Sequence, residues 1–481
     1  MLDVTEATKN AYKNYGSSKE LYIRIGGGNN PIVLRNSDII GQSLSLTERL
    51  ETSENLTFTG CNSTVLQFKC KDISANIKNS KIYCYIVANN TEEVPLFTGT
   101  IDTVNNTSHE QMTMDIVAYD ALYLLRDLDM KNWYETLSFP MTLKQFRDAL
   151  FVYLNSYYSL QQEEDTLPND DMTIYKAIDS ENIACLDLLR WICQINGRYG
   201  RIDRYGKFDY MNIKDGLYPA INLYPSTSLY PGVSTGGNVI DKSYYSTVDF
   251  ENFKVKKIGK VNLRDKNDNV IAFAGANANI WNINTNPYIW GYPEGNQSAL
   301  NTIASNLYNA VKDIEYTPLN SLSLAGLPYI EVGDCITIEA KRSTVTTYIL
   351  ERTLTGTNAL KDSYTAKSIE AYPIYKPNPQ KQTEILDNKV DEVKEDIEKL
   401  YQDKQNIIPL DILQPTWDAN DSDLTFFDNP ETGQREVWRY TTDHWEKCNL
   451  DNRISFVYTE DDDIIPGQSQ LATGHIIFVY E

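Results

Sequence analysis

Short runs of alternating apolar and polar residues, separated by turn residues, constrain the fold of this chain more than any other feature. From about Glu20 to Leu125 the runs include LYIRI, KIYCYIVA, PLFTGTID and MTMDIVAY. A period of two is typical of strands with one buried face. The run LYIRI, the glycine-rich turn at 26–31 and the following IVL predict a hairpin. Strands at this spacing predict a small barrel or sandwich.

Helical patterns interrupt the strands in the middle of the chain. Thr142–Gln145 has the spacing of a capping box, and apolar residues then recur at helical spacing over 143–154. A second helix is predicted over 185–195, with Asn196-Gly197 as its stop signal. After it, GRYGRID and KFDYMNI flank residues 204–206 and predict another hairpin. This part of the chain is therefore predicted to mix helices with a small sheet.

Strand patterns return from about residue 216 to residue 376, with one more amphipathic helix over 300–314. Gly333 and Asp334 lie between PYIEV and CITIEA and predict a tight turn. The runs TYILERTL and YTAKSIEAYPIY continue the strand pattern. The next segment, KPNPQKQ, has two prolines and no apolar residue, which predicts a boundary.

Beyond this boundary, five apolar residues have heptad spacing. They follow one another at intervals of 4, 3, 4 and 3 residues: Leu386, Val390, Val393, Ile397 and Leu400. This is the seam of a coiled coil, and its β-branched residues fit two strands or three. The seam covers only about two and a half heptads, so an amphipathic helix that packs on its own chain is the alternative. We predict that the seam is an oligomerisation surface.

The last 74 residues, 408–481, are predicted to form a separate acidic, β-rich module. They carry 15 carboxylates against four basic residues, a net charge of −11, which is half of the −22 of the whole chain. Their aromatic residues include Trp417, Trp438, Tyr440 and Trp445. Flat aromatic faces within an acidic surround are suited to sugar rings. The alternative is that the same residues form the core of a small module.

No catalytic site, metal site or cofactor site is predicted. The three histidines, at 109, 444 and 475, are too few for most acid–base or zinc chemistry. The acidic cluster 418–428 fails the EF-hand pattern, because Asp423 stands where the loop needs glycine. A solvated acidic loop is the favoured interpretation of this cluster, and a weak divalent-cation site is the alternative. Seven scattered cysteines without a C-x-x-C pair indicate reduced thiols made in a cytoplasm. The charge of −22 argues against direct nucleic-acid recognition.

The chain also lacks the sequence features of membrane insertion and export. No window approaches the roughly 18 uninterrupted apolar residues of a membrane-spanning helix, and the first 20 residues contain no apolar signal core. We therefore expect no membrane span and no export through the secretory route.

Together these patterns predict a mainly β chain with α+β insertions and five regions. Two β-barrel domains, 1–128 and 216–376, flank a mixed α/β domain at 129–215, and the second barrel contains the inserted helix. A linker with the short coiled coil follows at 377–407, and the small β module occupies 408–481.

Four stretches, taken together, resemble the tail or baseplate hub proteins of tailed bacteriophages and prophage-like elements. PLFTGTIDTV at 95–104 and DIVAYDALYLLRDLD at 115–129 are similar to the end of the family's first barrel. Residues 185–210 look like its unit of a helix followed by a small sheet, and GLPYIEVGDCITIE at 326–339 looks like a later strand pair. The likeness covers roughly residues 20–376, in the family's order.

The resemblance implies a trimer in which two hub-type barrels per chain build a pseudo-sixfold ring between the tail tube and the distal tip. Gly99 and Gly333 would lie at turns of the family's motifs and give shape. The protein would be made in the host cytoplasm, join the virion, contact other tail-tip proteins and take part in genome ejection and host attachment. A host surface glycan is one candidate partner. No peptidase-like or lysozyme-like segment follows, so no enzyme is expected. The alternatives are a tail-associated cell-wall hydrolase and a carbohydrate-binding adhesin without a hub role.

Overall fold

The computed structural model describes most of the chain up to residue 373 and four short stretches beyond it. The described residues are 2–27, 30–108, 112–163, 165–178, 183–213, 238–240, 242–276, 278–293, 295–341, 343–373, 407–409, 424–428, 435–442 and 444–447. The chain divides into two compact units, Met1–Lys376 and Pro377–Glu481.

The first unit is mainly β, and its strands follow the alternating runs of the sequence. In the amino-terminal part the strands are β1 (Lys19–Ile25), β2 (Ile32–Arg35), β3 (Ser45–Arg49), β4 (Val65–Lys71), β5 (Lys81–Ala88), β6 (Val94–Ser108) and β7 (Thr113–Tyr119). The middle part contains β8 (Met141–Thr142), β9 (Thr173–Ile174), β10 (Tyr199–Ile202) and β11 (Phe208–Met211). The predicted hairpins β1–β2 and β10–β11 are both confirmed as antiparallel pairs.

Ten further strands complete the first unit. They are β12 (Asn238–Ile240), β13 (Tyr245–Phe250), β14 (Lys260–Arg264), β15 (Val270–Gly275), β16 (Ile280–Ile283), β17 (Leu319–Ala325), β18 (Cys335–Glu339), β19 (Thr344–Tyr348), β20 (Glu351–Thr355) and β21 (Lys361–Ala366). The helices are α1 (Glu6–Lys13), α2 (Ala121–Leu125), α3 (Lys131–Glu135), α4 (Leu143–Tyr158), α5 (Cys185–Asn196) and α6 (Gln297–Val311). Two single 3-10 turns lie at Asn36–Asp38 and Pro287–Ile289.

One eleven-stranded sheet joins strands from both ends of this unit. Its order is β13-β17-β21-β20-β3-β4-β7-β6-β5-β1-β2. The prediction of two β-barrel domains is therefore corrected: among the described residues no closed barrel is formed, and eleven of the strands lie in this one open sheet. The physical reason is the pairing of β3 with β20, which occupies the edge of β3 that a closed amino-terminal barrel would have needed.

The long helices begin and end where local chemistry predicts. At the start of α4, the Thr142 side chain accepts a hydrogen bond from the Gln145 backbone N–H, and the Gln145 side chain accepts one from the Thr142 N–H. At the end of α5, Gly197 takes a left-handed conformation. The apolar faces of α4, α5 and α6 are buried in one hydrophobic core with the sheets. Helical periodicity in this region is thus confirmed.

The described part of the second unit is a four-stranded sheet. Its strands are β22 (Ile407–Pro409), β23 (Leu424–Asp428), β24 (Arg435–Thr441) and β25 (His444–Lys447), in that order, with only the first pair parallel. The predicted coiled-coil seam, 386–400, lies outside the described residues. Within the part of the chain that is described, no helix combines the length and apolar character that a membrane span needs.

Candidate functional site

Strands β3 and β20 join the two β-rich regions of the first unit through one antiparallel pair. The register places Glu48 opposite Arg352 and Arg49 opposite Glu351. Because successive side chains of a strand point to opposite faces, one ion pair is buried and the next is exposed. Glu48 and Arg352 lie in the interior, whereas the side chains of Arg49 and Glu351 are 50% and 35% exposed.

Arg352 is the centre of a buried ionic cluster, which we call the junction cluster. Its members are Glu48, Arg204, Glu331, Arg352 and Asp362. The Nε and Nη2 atoms of Arg352 donate to the two carboxylate oxygens of Asp362, at 2.9 and 3.1 Å, and its Nη1 donates to Glu48 at 2.9 Å. Asp362 also accepts hydrogen bonds from the Leu327 backbone N–H and the Tyr364 hydroxyl. Both charged partners of Arg352 are therefore held by direct hydrogen bonds.

The charges of the junction cluster offset the cost of their burial. Burial alone would lower the pKa of Arg352, but the adjacent carboxylates of Asp362 and Glu48 raise it above its ordinary value. The guanidinium thus stays protonated over the whole accessible pH range. A buried cluster of this kind is costly to break, because removal of one partner leaves an uncompensated charge.

Arg204 brings the middle of the chain to the same cluster. It lies in the turn of the β10–β11 hairpin, and its Nη2 donates to the Ile330 carbonyl at 2.7 Å and lies 3.7 Å from Glu48. Its Nη1 donates to the carbonyl of Pro328 and, at 3.1 Å, to that of Pro95. One buried side chain therefore ties three distant segments together.

Glu331 completes the cluster on the side of the hairpin. Its carboxylate lies 3.5 Å from Arg204 Nε and 3.6 Å from Arg201 Nη1. Burial raises the pKa of Glu331, but the positive charges of Arg201 and Arg204 outweigh that effect and lower it to about 2. Glu331 is therefore ionised at any pH at which the protein would function.

The sequence pattern contains a weak signal for the junction cluster that periodicity alone does not reveal. Glu48, Arg352 and Asp362 each occupy a buried position of their strand, where Leu46, Leu354 and Tyr364 are the neighbouring inward residues. Opposite charges at inward positions of three strands indicate that these strands meet. Sequence spacing alone does not identify any of them, because 66 acidic and 44 basic residues make such pairs too numerous to rank.

The two glycines predicted to shape turns lie in different settings. Gly333 has a φ of +88° in the turn before β18, a conformation that favours glycine. There Asp334 accepts a hydrogen bond from the Glu331 N–H at 2.8 Å, and burial raises the pKa of Asp334. Gly99, in contrast, lies inside β6 and not at a turn, because β6 continues without a break through the motif. A Cβ on Gly99 would overlap the Tyr119 carbonyl.

Gly60 has no sequence signal, yet it lies at the tightest backbone approach near the junction. A Cβ at this position would overlap the Leu50 carbonyl oxygen and lie 2.9 Å from the Tyr199 ring. The Gly60 carbonyl accepts a hydrogen bond from the Gly200 N–H at 2.9 Å. Gly60 thus lets the end of β3 pack directly against β10.

Few side chains of the described residues are suited to nucleophilic catalysis or metal binding. Six described cysteines are free and buried: Cys61, Cys70, Cys84, Cys185, Cys193 and Cys335. Burial raises the pKa of Cys70 to about 11 and that of Cys185 to about 12, so these thiols do not form the nucleophilic thiolate near neutral pH. No group of three or more potential metal ligands occurs in the described part of the chain. Of the three histidines, only His444 is described, and it is exposed.

Three of the four predicted ligand-binding aromatics share one face of the second unit's sheet. Tyr440 lies opposite Trp445 and Trp438 lies opposite Lys447, so all four side chains project from the same side. The rings of Tyr440 and Trp445 are 5.2 Å apart and nearly perpendicular. Glu436 accepts hydrogen bonds from Lys447 at 2.6 Å and from the Trp438 indole N–H at 3.3 Å. Trp417 lies outside the described residues.

The solved structures that this chain is similar to include three phage tail proteins. The tail protein from Neisseria meningitidis MC58 is 10% identical, with a TM-score of 0.42, and the match covers 74% of this chain and 100% of that one. The 43 kDa tail protein of prophage MuSo2 from Shewanella oneidensis is 11% identical, with a TM-score of 0.42, and the match covers 73% of this chain and 97% of that one. A prophage tail protein from Listeria monocytogenes EGD-e is 13% identical, with a TM-score of 0.41, and the match covers 72% of this chain and 94% of that one. No protein-family model matches the chain, and neither does any curated protein.

Proposed function

We propose that this chain is a structural, non-enzymatic component of a phage tail. In this proposal three copies form a baseplate hub, a ring that joins the tail tube to the distal tip and through which the genome is ejected. Its partners are the tail tube or a distal tail protein on one side and tip proteins on the other. The chain is made in the cytoplasm of the host bacterium and remains in the virion.

The observation that carries this proposal is the junction between β3 and β20. A ring that transmits structure along a tail needs subunits whose two β-rich regions hold a fixed relative position. The shared sheet and the hydrogen-bonded junction cluster provide this, because buried polar networks specify one arrangement of the parts they connect. The sequence resemblance to tail hubs also favours a structural role over a hydrolase.

The solution mass of the full-length protein tests the threefold assembly. One chain has a mass of 54.9 kDa, so light scattering should give a value near three times this, about 165 kDa. A mass that stays at 54.9 kDa at all accessible concentrations would contradict the self-assembling hub.

Substitutions in the predicted seam test what fastens the trimer. We expect Val393→Asp combined with Ile397→Asp to weaken the trimer, because each carboxylate would be buried between helices without a partner. Asn388→Asp with Lys399→Gln changes the net charge equally at positions off the seam and should leave the mass unchanged. If the seam variant keeps the same trimeric mass as the control variant, the helix packs on its own chain and does not fasten the trimer.

We further propose that the carboxy-terminal module binds a receptor, or docks another tail protein, through its aromatic face. The clustered rings of Trp438, Tyr440 and Trp445, flanked by Glu436 and Lys447, offer the mixture of apolar and polar groups found in carbohydrate sites. On an array of bacterial surface polysaccharides, binding of the full chain should fall at least about tenfold in Trp438→Ala.

A matched control for this experiment lies on the opposite face of the same strand. Arg439 is exposed and alternates with Trp438 and Tyr440, so Arg439→Ala should bind as the wild type does. Equal losses in both variants would contradict a specific aromatic site. Absence of binding by the wild type would reject the glycan and favour docking of a tail protein.

A further inference from the structure

Six side chains form an ordered surface on the outer face of β2, β1 and β5, which we call the tyrosine–arginine grid. The strand register arranges them in two rows of three: Val33, Arg24 and Tyr83 in one, and Arg35, Tyr22 and Tyr85 in the other. Val33 and Tyr83 are large apolar residues that are nevertheless exposed, at 43% and 38%. Tyrosine and arginine are the residue types most enriched in the centres of protein interfaces.

Stacking contacts order the grid, both within the row of Arg35, Tyr22 and Tyr85 and between this row and Arg24 of the other row. The rings of Tyr22 and Tyr85 are parallel, with centroids 5.0 Å apart. The guanidinium of Arg35 lies 5.0 Å from the Tyr22 ring, and that of Arg24 lies 5.8 Å from the Tyr85 ring. Because the rings of Tyr22 and Tyr85 already have stacking partners, these two rings offer no free platform for a sugar or a nucleic-acid base. The accessible groups of the grid are the guanidinium N–H donors, the edges of these two rings and the exposed Tyr83 side chain.

The charge of the grid is only partly balanced by its own chain. Arg35 pairs with Glu20 at 3.2 Å, whereas Arg24 makes no ion pair with any described residue, although it is exposed. An arginine preorganised by stacking loses little side-chain entropy when it binds a carboxylate. The grid therefore fits a protein surface that presents an exposed carboxylate.

We propose that the tyrosine–arginine grid docks a second copy of this chain, at the opposite end of the same eleven-stranded sheet. This rests on the proposed function as a self-assembled ring. The last strands at that end, β13 and β17, contain Asp249 as their only charged residue, and Asp249 is exposed without an ion pair to any described residue. A contact between two different surfaces of identical chains is heterologous, the type that closes into rings.

A charge-swap experiment on the full-length protein tests the contact. We expect Arg24→Glu and Asp249→Arg to weaken self-association about tenfold each, because each places like charges in contact. The double variant should recover most of the wild-type association, since it restores an opposite-charge pair in reverse orientation. Light scattering over a concentration series measures the association. Arg126→Glu, at an exposed arginine paired locally with Asp127, is the matched control and should associate as the wild type does.

The outcomes separate this inference from the proposed function. An oligomeric wild type whose single variants associate normally would overturn the grid contact and leave the hub proposal standing. Single variants that dissociate without recovery in the double variant would overturn Asp249 as the partner. A wild type that remains monomeric would overturn both proposals. Because the substituted side chains are exposed, we expect all variants to keep the denaturation midpoint of the wild type. Unchanged midpoints would show that any loss of self-association is not caused by unfolding.

Discussion

Replacement of Arg352 by methionine is expected to lower the free energy of unfolding by about 3–5 kcal/mol. The variant would retain most of the side-chain volume but leave the Asp362 carboxylate buried without its cation, and Glu48 would keep only Arg204, 3.7 Å away. Denaturation with urea, followed by intrinsic fluorescence, measures the change.

The control for this prediction is the neighbouring residue pair on the same two strands. Arg49 and Glu351 are adjacent to Glu48 and Arg352 in the register, and their side chains are 2.7 Å apart but exposed. Solvent screens such a pair, so Arg49→Met should cost no more than about 1 kcal/mol. Similar losses in the free energy of unfolding for both variants would show that burial does not determine how much the junction cluster contributes to stability.

Gly60→Ala is expected to destabilise the first unit by about 3 kcal/mol, at the upper end of the range for overpacking. The added methyl group would overlap the Leu50 carbonyl oxygen, and because this is a backbone atom it cannot rotate away. The end of β3 would have to move from Tyr199 and β10. Thermal and chemical denaturation of the full chain measure the loss.

Gly27 provides the comparison for the Gly60 variant. Its φ is not in the left-handed region, and a Cβ there would meet no atom within 4 Å. Gly27→Ala should therefore change the free energy of unfolding by less than about 0.5 kcal/mol, or increase it slightly by restricting the unfolded chain. A large loss in this variant too would mean that alanine in place of glycine, rather than the overlap at Leu50, causes the effect.

Local patterns in the sequence predict the secondary structure of this chain well, and long-range pairing is what they miss. The capping box at Thr142 and the stop at Gly197 are confirmed because their hydrogen bonds join residues a few positions apart. The pairing of β3 with β20 has no such local determinant. Alternation indicates which face of a strand is buried but not which strand lies beside it, so it does not predict that strands from the two β-rich regions pair in one sheet.

The candidate sites follow the same division. Trp438, Tyr440 and Trp445 were predicted from residue type, and their common face follows from alternation once the hairpin register is fixed. The junction cluster and Gly60 depend on contacts between residues far apart in the chain, and no local spacing identifies them. The seam from Leu386 to Leu400 remains a prediction from the sequence.

The pairing of β3 with β20 also sets the order of events during synthesis. Arg49 and Glu351, which meet across this pair, are separated by 302 positions in the chain. A ribosome that adds about 5–20 residues per second needs roughly 15–60 s to produce the second strand after the first. During that interval β3 has an unpaired edge that could pair with other nascent chains. Newly made amino-terminal segments therefore expose this edge to one another until their own β20 strands emerge.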